Sequence, residues 1–161
     1  MNDQLTLSLQ QLISGRLTAA LGTLHERAPF VSMVPYALGR DGFILHVSRL
    51  ASHTQDMLDH HDVSLLITES EAAAKMPQEL ARVTVQGQAE MLERDSKKHT
   101  VAREVYLSRF PEAAPLFEFA DFEVFIIRPI SARFVAGFGR AVTINEQDFT
   151  RAVLTPDILS V

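Results

Sequence analysis

Between Ser48 and Gln55 the chain reads Ser-Arg-Leu-Ala-Ser-His-Thr-Gln, its densest run of hydrogen-bonding side chains. Three hydroxyls, from Ser48, Ser52 and Thr54, join the Arg49 guanidinium and the His53 imidazole where a strand gives way to a helix start. Donors at the positive end of a helix dipole favour a phosphate dianion. The same residue types also cap helices that bind nothing, so residue chemistry alone leaves both readings open. The histidines offer less. His60 and His61 are adjacent and diverge on a helix, with no acidic partner at ligand spacing, so no metal site is expected. His46 alternates with Leu45 and Val47 and faces away from their side of a strand, His25 falls in a turn, and His99 sits on a polar helix start. No nucleophile–base pair or phosphate-binding glycine loop occurs, and Gly137-Phe138-Gly139 is too short for a dinucleotide motif. The catalytic residues are therefore unknown at this level.

Zero cysteines among 161 residues remove disulfides, thiolate nucleophiles, iron–sulfur clusters and cysteine zinc sites together. Redox chemistry must come from a bound cofactor. The net charge of −5, with both signs scattered, argues against a general nucleic-acid binder but leaves room for one anion pocket. No stretch approaches the ~20 apolar residues of a membrane span, and MNDQLTLSLQ is not a signal peptide, so a cytoplasmic protein without membrane contact is expected.

The elements that must carry these residues are short. Leu5, Leu9, Leu12 and Ile13 form one helical stripe, stopped at Gly15. Strand patterns follow over 17–24, 29–38 and 43–47, cut by turn residues, and read as an antiparallel meander. A short helix over 52–61, a strand over 63–68, a helical or irregular link over 69–78 and a long strand over 80–91 come next. Ser96 caps a helix to about Phe110 with Val101, Ala102, Val105 and Tyr106 as its buried face. Two last strands, 122–128 and 133–144, are divided at Pro129. Strands without a βαβ rhythm predict an antiparallel barrel with peripheral helices. One domain spans 1–161, with an N-terminal helix over 1–15 and a tail over 145–161.

GFILHVSRLASHTQ from Gly42, DVSLLI from Asp62 and ARVTVQGQAE from Ala81 together resemble the FMN-binding split-barrel family related to pyridoxamine 5′-phosphate oxidase. The ending, YLSRFPEA from Tyr106 and ADFEVFIIRPISARFVAGFGRA from Ala120, looks more like the haem-utilisation branch of that superfamily. The resemblance implies a six-stranded split barrel that forms a homodimer, with FMN in clefts between the subunits. It carries the family's phosphate turn onto Ser48, Arg49, Ser52, His53, Thr54 and Gln55, and adds Val47 to the cofactor-binding set. Its flavin-ring strand falls on Ser32, Met33 and Val34, and Arg82 and Gln86 match the strand reaching the same site.

Departures from the family narrow the activity. Pyridoxamine-phosphate oxidases carry a lysine where this chain has Ala37 and a late Arg-Leu-His motif where it has Gly-Phe-Gly-Arg. Haem-degrading members use a C-terminal histidine on iron, and no histidine follows His99. The resemblance thus implies first an FMN-dependent oxidoreductase on a small-molecule substrate, with haem binding or degradation, or flavin carriage without catalysis, as the alternatives.

Overall fold

Asn2 opens the first helix by accepting the Leu5 amide on its side-chain oxygen at 2.9 Å. The computed structural model describes residues 1–155. Helix α1, Asp3–Gly15, buries Leu9, Leu12 and Ile13 on the stripe its spacing predicts. Strands β1 (Thr18–His25), β2 (Ala28–Pro35), β3 (Ala37–Leu38) and β4 (Phe43–Ser48) follow. Helix α2 (Ser52–Asp59) leads to β5 (Asp62–Thr68), and two single 3₁₀ turns bridge to β6 (Arg82–Met91). Helix α3 (Lys97–Arg109), a 3₁₀ segment Pro111–Glu118, β7 (Phe122–Val135), β8 (Ala141–Asn145) and a last short helix α4 (Glu146–Phe149) complete the chain.

The strands form one antiparallel sheet in the order β2-β1-β5-β6-β7-β4-β3, with β8 also on β7. Its inner face collects Leu21, Val34, Phe43, Leu45, Leu65, Val83, Val85, Ile127 and Phe134 into one core. Period-two burial along β5 and β6 matches a sheet with one buried face. Against the expected six strands the sheet has eight, because β3 and β8 add short pairings to six longer strands. The architecture is the expected mainly β, split-barrel type with peripheral helices.

Three sequence expectations change. The first four strands are not a meander: β1 and β2 form one hairpin, β3 and β4 another, and they lie at opposite ends of the sheet order. Tyr36 separates them, buried and donating its hydroxyl to the Ile13 carbonyl at 2.5 Å. Pro129 does not divide two strands either. On one side of β7 the ladder to β4 ends at Ile127 and that to β8 begins at Ser131, so Pro129 falls between them, where its missing N–H costs nothing. On the other side it opposes Gly87, where the β6 register shifts. Finally, Val101 of α3 is 51% exposed, while Ala102 and Tyr106 are buried with Ile44, Val124 and Ile126 in a second, smaller core.

The stretch read as a tail begins with α4 and a following π turn, Thr150–Leu154, which bury Phe149, Ala152 and Val153 against the main core. The remainder of that stretch, from 156 on, lies outside the described residues. Among the described residues no helix is long and apolar enough to cross a membrane.

Candidate functional site

The strand-to-helix junction that dominates the sequence is tied inward. Ser48 accepts the Leu50 amide at 3.1 Å and donates its hydroxyl to Asp121 at 2.7 Å. Arg49 donates through Nε to Glu123 at 2.7 Å, and Glu123, 6% exposed, also faces Arg94 at 3.5 Å. Thr54 is fully buried and donates to the Ser48 carbonyl at 2.6 Å. Val47 is in the core, Ser52 is exposed, and Gln55 donates along the helix to Asp59 at 3.2 Å. The hydroxyls and the cation are brought together, with two carboxylates beside them that local spacing does not announce.

One step along α2 the chemistry changes. His53 Nδ1 lies 3.0 Å from the Ser32 hydroxyl, joining the two halves of the sequence-predicted set. Burial lowers the His53 pKa, opposed by Asp56. Asp56, 4% exposed, accepts the Thr23 hydroxyl at 2.7 Å on one oxygen and holds His25 Nδ1 at 2.7 Å on the other. His25 is the last residue of β1 rather than a turn residue. Its pKa is raised, first by the hydrogen bond to Asp56. Sequence reading missed this pair because its partners lie 31 positions apart.

Ser32 and Met33 lead to the outer face of β1, β2 and β5. With Arg16, Thr18, Ala19, Ala20, Val31, Leu66 and Thr68 they line a cavity of about 400 Å³. Val31 also lines a second cavity of about 580 Å³, with Leu24, Phe30, Gln86 and Ile130 around it. Apolar side chains stand open on this face, with Val31 67% exposed, Met33 66% and Ile130 46%, among polar ones that include Asp62 and Ser64 at the second cavity. Val34 instead points into the core. Gln86 accepts a hydrogen bond from Ser131 at 3.0 Å, and Arg82 donates back to the Leu80 carbonyl at 3.0 Å. Gln86 thus joins the face, while Arg82 is turned to its own backbone. Arg16 and Thr18 are additions that no sequence motif signalled.

His46 does face away from Leu45 and Val47, but into the second core, where it stacks on Phe117. Its Nδ1 is buried with no hydrogen-bond partner.

A family model described as CREG, beta-barrel matches residues 10–151. The chain belongs to the CREG β-barrel family. Heme oxygenase HutZ of Vibrio cholerae is 28% identical to it over 150 residues, which cover 92% of this chain and 85% of that protein. The chloroplastic heme oxygenase HOZ of Arabidopsis thaliana is 33% identical over 139 residues, 83% of this chain. A solved heme binding protein from Mycobacterium smegmatis superposes on 93% of this CREG-type barrel with a TM-score of 0.84 and 26% identity. The barrel spans 40% of the Arabidopsis protein and 61% of the mycobacterial chain. Likeness to a general stress protein 26 relative of the pyridoxinephosphate oxidase family, from Clostridium acetobutylicum, has a TM-score of 0.68 at 11% identity. That shows a shared fold alone. The order in which sequence reading placed flavin ahead of haem is therefore reversed: the nearer relatives carry haem in their names, and the flavin-type likeness is distant.

Proposed function

We propose that this CREG-type barrel binds haem and acts in its breakdown, with a second copy of the chain covering the site. The observation that carries the reading is the outer face of β1, β2 and β5. Two open cavities of about 400 and 580 Å³ meet there at Val31. A flat, largely apolar macrocycle needs such a surface, and its carboxylate edge needs a cation. Arg16 supplies the cation at the mouth of the first cavity, beside the hydroxyls of Thr18, Ser32 and Thr68. The names of the full-length relatives support the same choice.

FMN asks for different chemistry. Its phosphate calls for free donors at the start of α2, where Ser48, Arg49 and Thr54 are already bonded within the chain and Asp121 and Glu123 add negative charge. Flavin binding by Ser32, Met33, Ser52, His53 and Gln55 remains the second reading, supported by the Ser32–His53 contact.

Bound haem would supply iron that activates oxygen against its own ring. The chain's part is to seat the ring on Val31, Met33 and Leu66, to hold its carboxylates with Arg16, and to exclude water. An apolar strand exposed along most of β2 fits a second copy of the chain on the same face. Titration of the purified protein with haemin and, separately, FMN tests the reading. A saturable Soret change at one haem per chain, followed by its loss and formation of an open-chain tetrapyrrole with ascorbate under oxygen, is expected. Saturable FMN binding with no such haem response would reverse the choice.

A further inference from the structure

At the end of the sheet order away from β1 and β2, helix α3 packs on the β3–β4 hairpin. A site here is independent of the haem reading. Periodicity along α3 predicts Val101, Ala102, Val105 and Tyr106 as one buried face, yet Val101 is 51% exposed. The apolar stripe therefore runs beyond the second core. Val101 and Val105 line a cavity of about 270 Å³, together with Ile44, Ala102 and Ile126.

The hairpin side of this slot is preformed. The turn from β3 to β4, residues 39–42, closes with the Gly39 amide donating to the Gly42 carbonyl at 2.8 Å. Gly42 has a φ of 148°, and a Cβ on it would collide with the Ile127 carbonyl oxygen. Backbone thus pins the turn against β7 and keeps the slot open.

The charges around it are mostly of one sign. Arg40, Lys97 and Lys98 line the slot, against the single carboxylate of Asp41. Among the described residues Arg40 and Lys97 form no ion pair, and Lys98 reaches Glu90 only at 4.0 Å, an acid already held by Arg128. Both lysines stand in the first turn of α3, which has no acid and where the helix dipole disfavours cations. An adjoining cavity of about 330 Å³ shares Arg40, Asp41 and Lys98 and adds Arg128, Glu146 and Thr150. The cations therefore stand between an apolar slot and a polar one.

Volume sets the size of the occupant. An apolar cavity of ~150 Å³ takes benzene, so at the same filling this one takes an aliphatic chain of roughly ten carbons. Such a chain fits the lining, and a carboxylate at its end fits the cations. A porphyrin ring is far too large for this space.

We propose that this slot binds a medium-chain fatty acid, with its tail against Val101, Val105 and Ile126 and its carboxylate between Arg40, Lys97 and Lys98.

The full chain is titrated with sodium decanoate below its micelle concentration, read by calorimetry and methyl NMR. Saturable binding of one decanoate per chain is expected, with shifts confined to Ile44, Val101, Ala102, Val105 and Ile126. Acetate, which has the head without the tail, should not compete. Val101→Asp should weaken decanoate by roughly tenfold or more, because it sets a like charge in the slot at a position already open to solvent. Arg40→Glu combined with Lys97→Glu should weaken it comparably and admit decyltrimethylammonium instead, a reversal that unfolding would not produce. These variants should leave the haemin titration unchanged, so failure here is distinct from failure of the haem reading. Shifts on Val31 and Leu66 instead would move the acid to the haem face and overturn the assignment, as would a wild type that does not saturate. Binding that emerges only once residues 156–161 are removed would also overturn it, because the slot would then belong to the chain itself.

Discussion

The imidazole of His46 lies flat on the ring of Phe117, centroids 3.7 Å apart and planes 7° from parallel. Phe122 and Tyr106 close on it at 5.0 and 5.7 Å. A strand residue is thereby locked to the 3₁₀ segment that follows α3, and the lock depends on the ring staying neutral. Burial pushes its pKa down to about 4, helped by His99, Arg94 and Arg103 and opposed by Glu123.

Stability should therefore fall on acidification. An unfolded histidine protonates near ~6.5, whereas the folded ring resists until about 4, so this contribution is complete above the first value and declines as pH drops through that window. The loss is on the order of 2 kcal/mol at pH 5, part-way through it. His53 and His99, also lowered, add in the same direction. Urea midpoints at pH 7.5 and pH 5 measure it, and His46→Phe should show a distinctly smaller drop than the wild type. Equal drops would place the acid sensitivity elsewhere.

The His25–Asp56 pair runs the other way. Its raised pKa makes its contribution complete below the unfolded value and lost as pH rises through the folded one. Asp56→Ala should bring the His25 titration, followed by NMR, back toward the ordinary imidazole value. It also leaves the Thr23 hydroxyl, 5% exposed, without its acceptor, a loss of about 1–3 kcal/mol in thermal or urea unfolding. A His25 titration that does not move would contradict the bond.

Gly87 carries the junction where β6 shifts register against Pro129. A Cβ there would stand 2.6 Å from the Arg128 carbonyl oxygen and 2.8 Å from Ile127 Cγ2. Gly87→Ala should destabilise the protein by roughly 1–3 kcal/mol, since backbone must move to admit one methyl group. A melting temperature within a degree of the wild type would show that the two strands part easily.

Val31 and Met33, each about two-thirds exposed, test the second copy. Val31→Asp combined with Met33→Asp should convert a dimer in sedimentation into a monomer of unchanged circular dichroism, because the substitutions charge an open face and touch no core. A species of the same mass before and after would remove this face from the interface.

Much of the fold is legible in the chain. The stripe of Leu9, Leu12 and Ile13, the Ser96 cap and the alternation of Val83 and Val85 with Arg82 and Thr84 encode which face each element buries. Blocks around Gly42 to Gln55 and Ala120 to Ala141 were enough for the family, and the Ser32–His53 contact joins two segments that the resemblance had already put at one site.

What the sequence by itself determined was local: the period of each segment, its caps, and the absence of any cysteine chemistry. Only the tertiary structure decided what each face meets. Pro129 reads as a break, yet it passes through β7 because neither neighbouring ladder needs its N–H. Ser48 and Arg49 read as free donors, yet Asp121 and Glu123 reach them from more than seventy positions away. His25 reads as a turn residue, yet α2 sets a buried carboxylate against it. Periodicity follows from backbone geometry within a few residues, whereas hydrogen-bond partners and burial depend on which distant strand or helix is folded alongside.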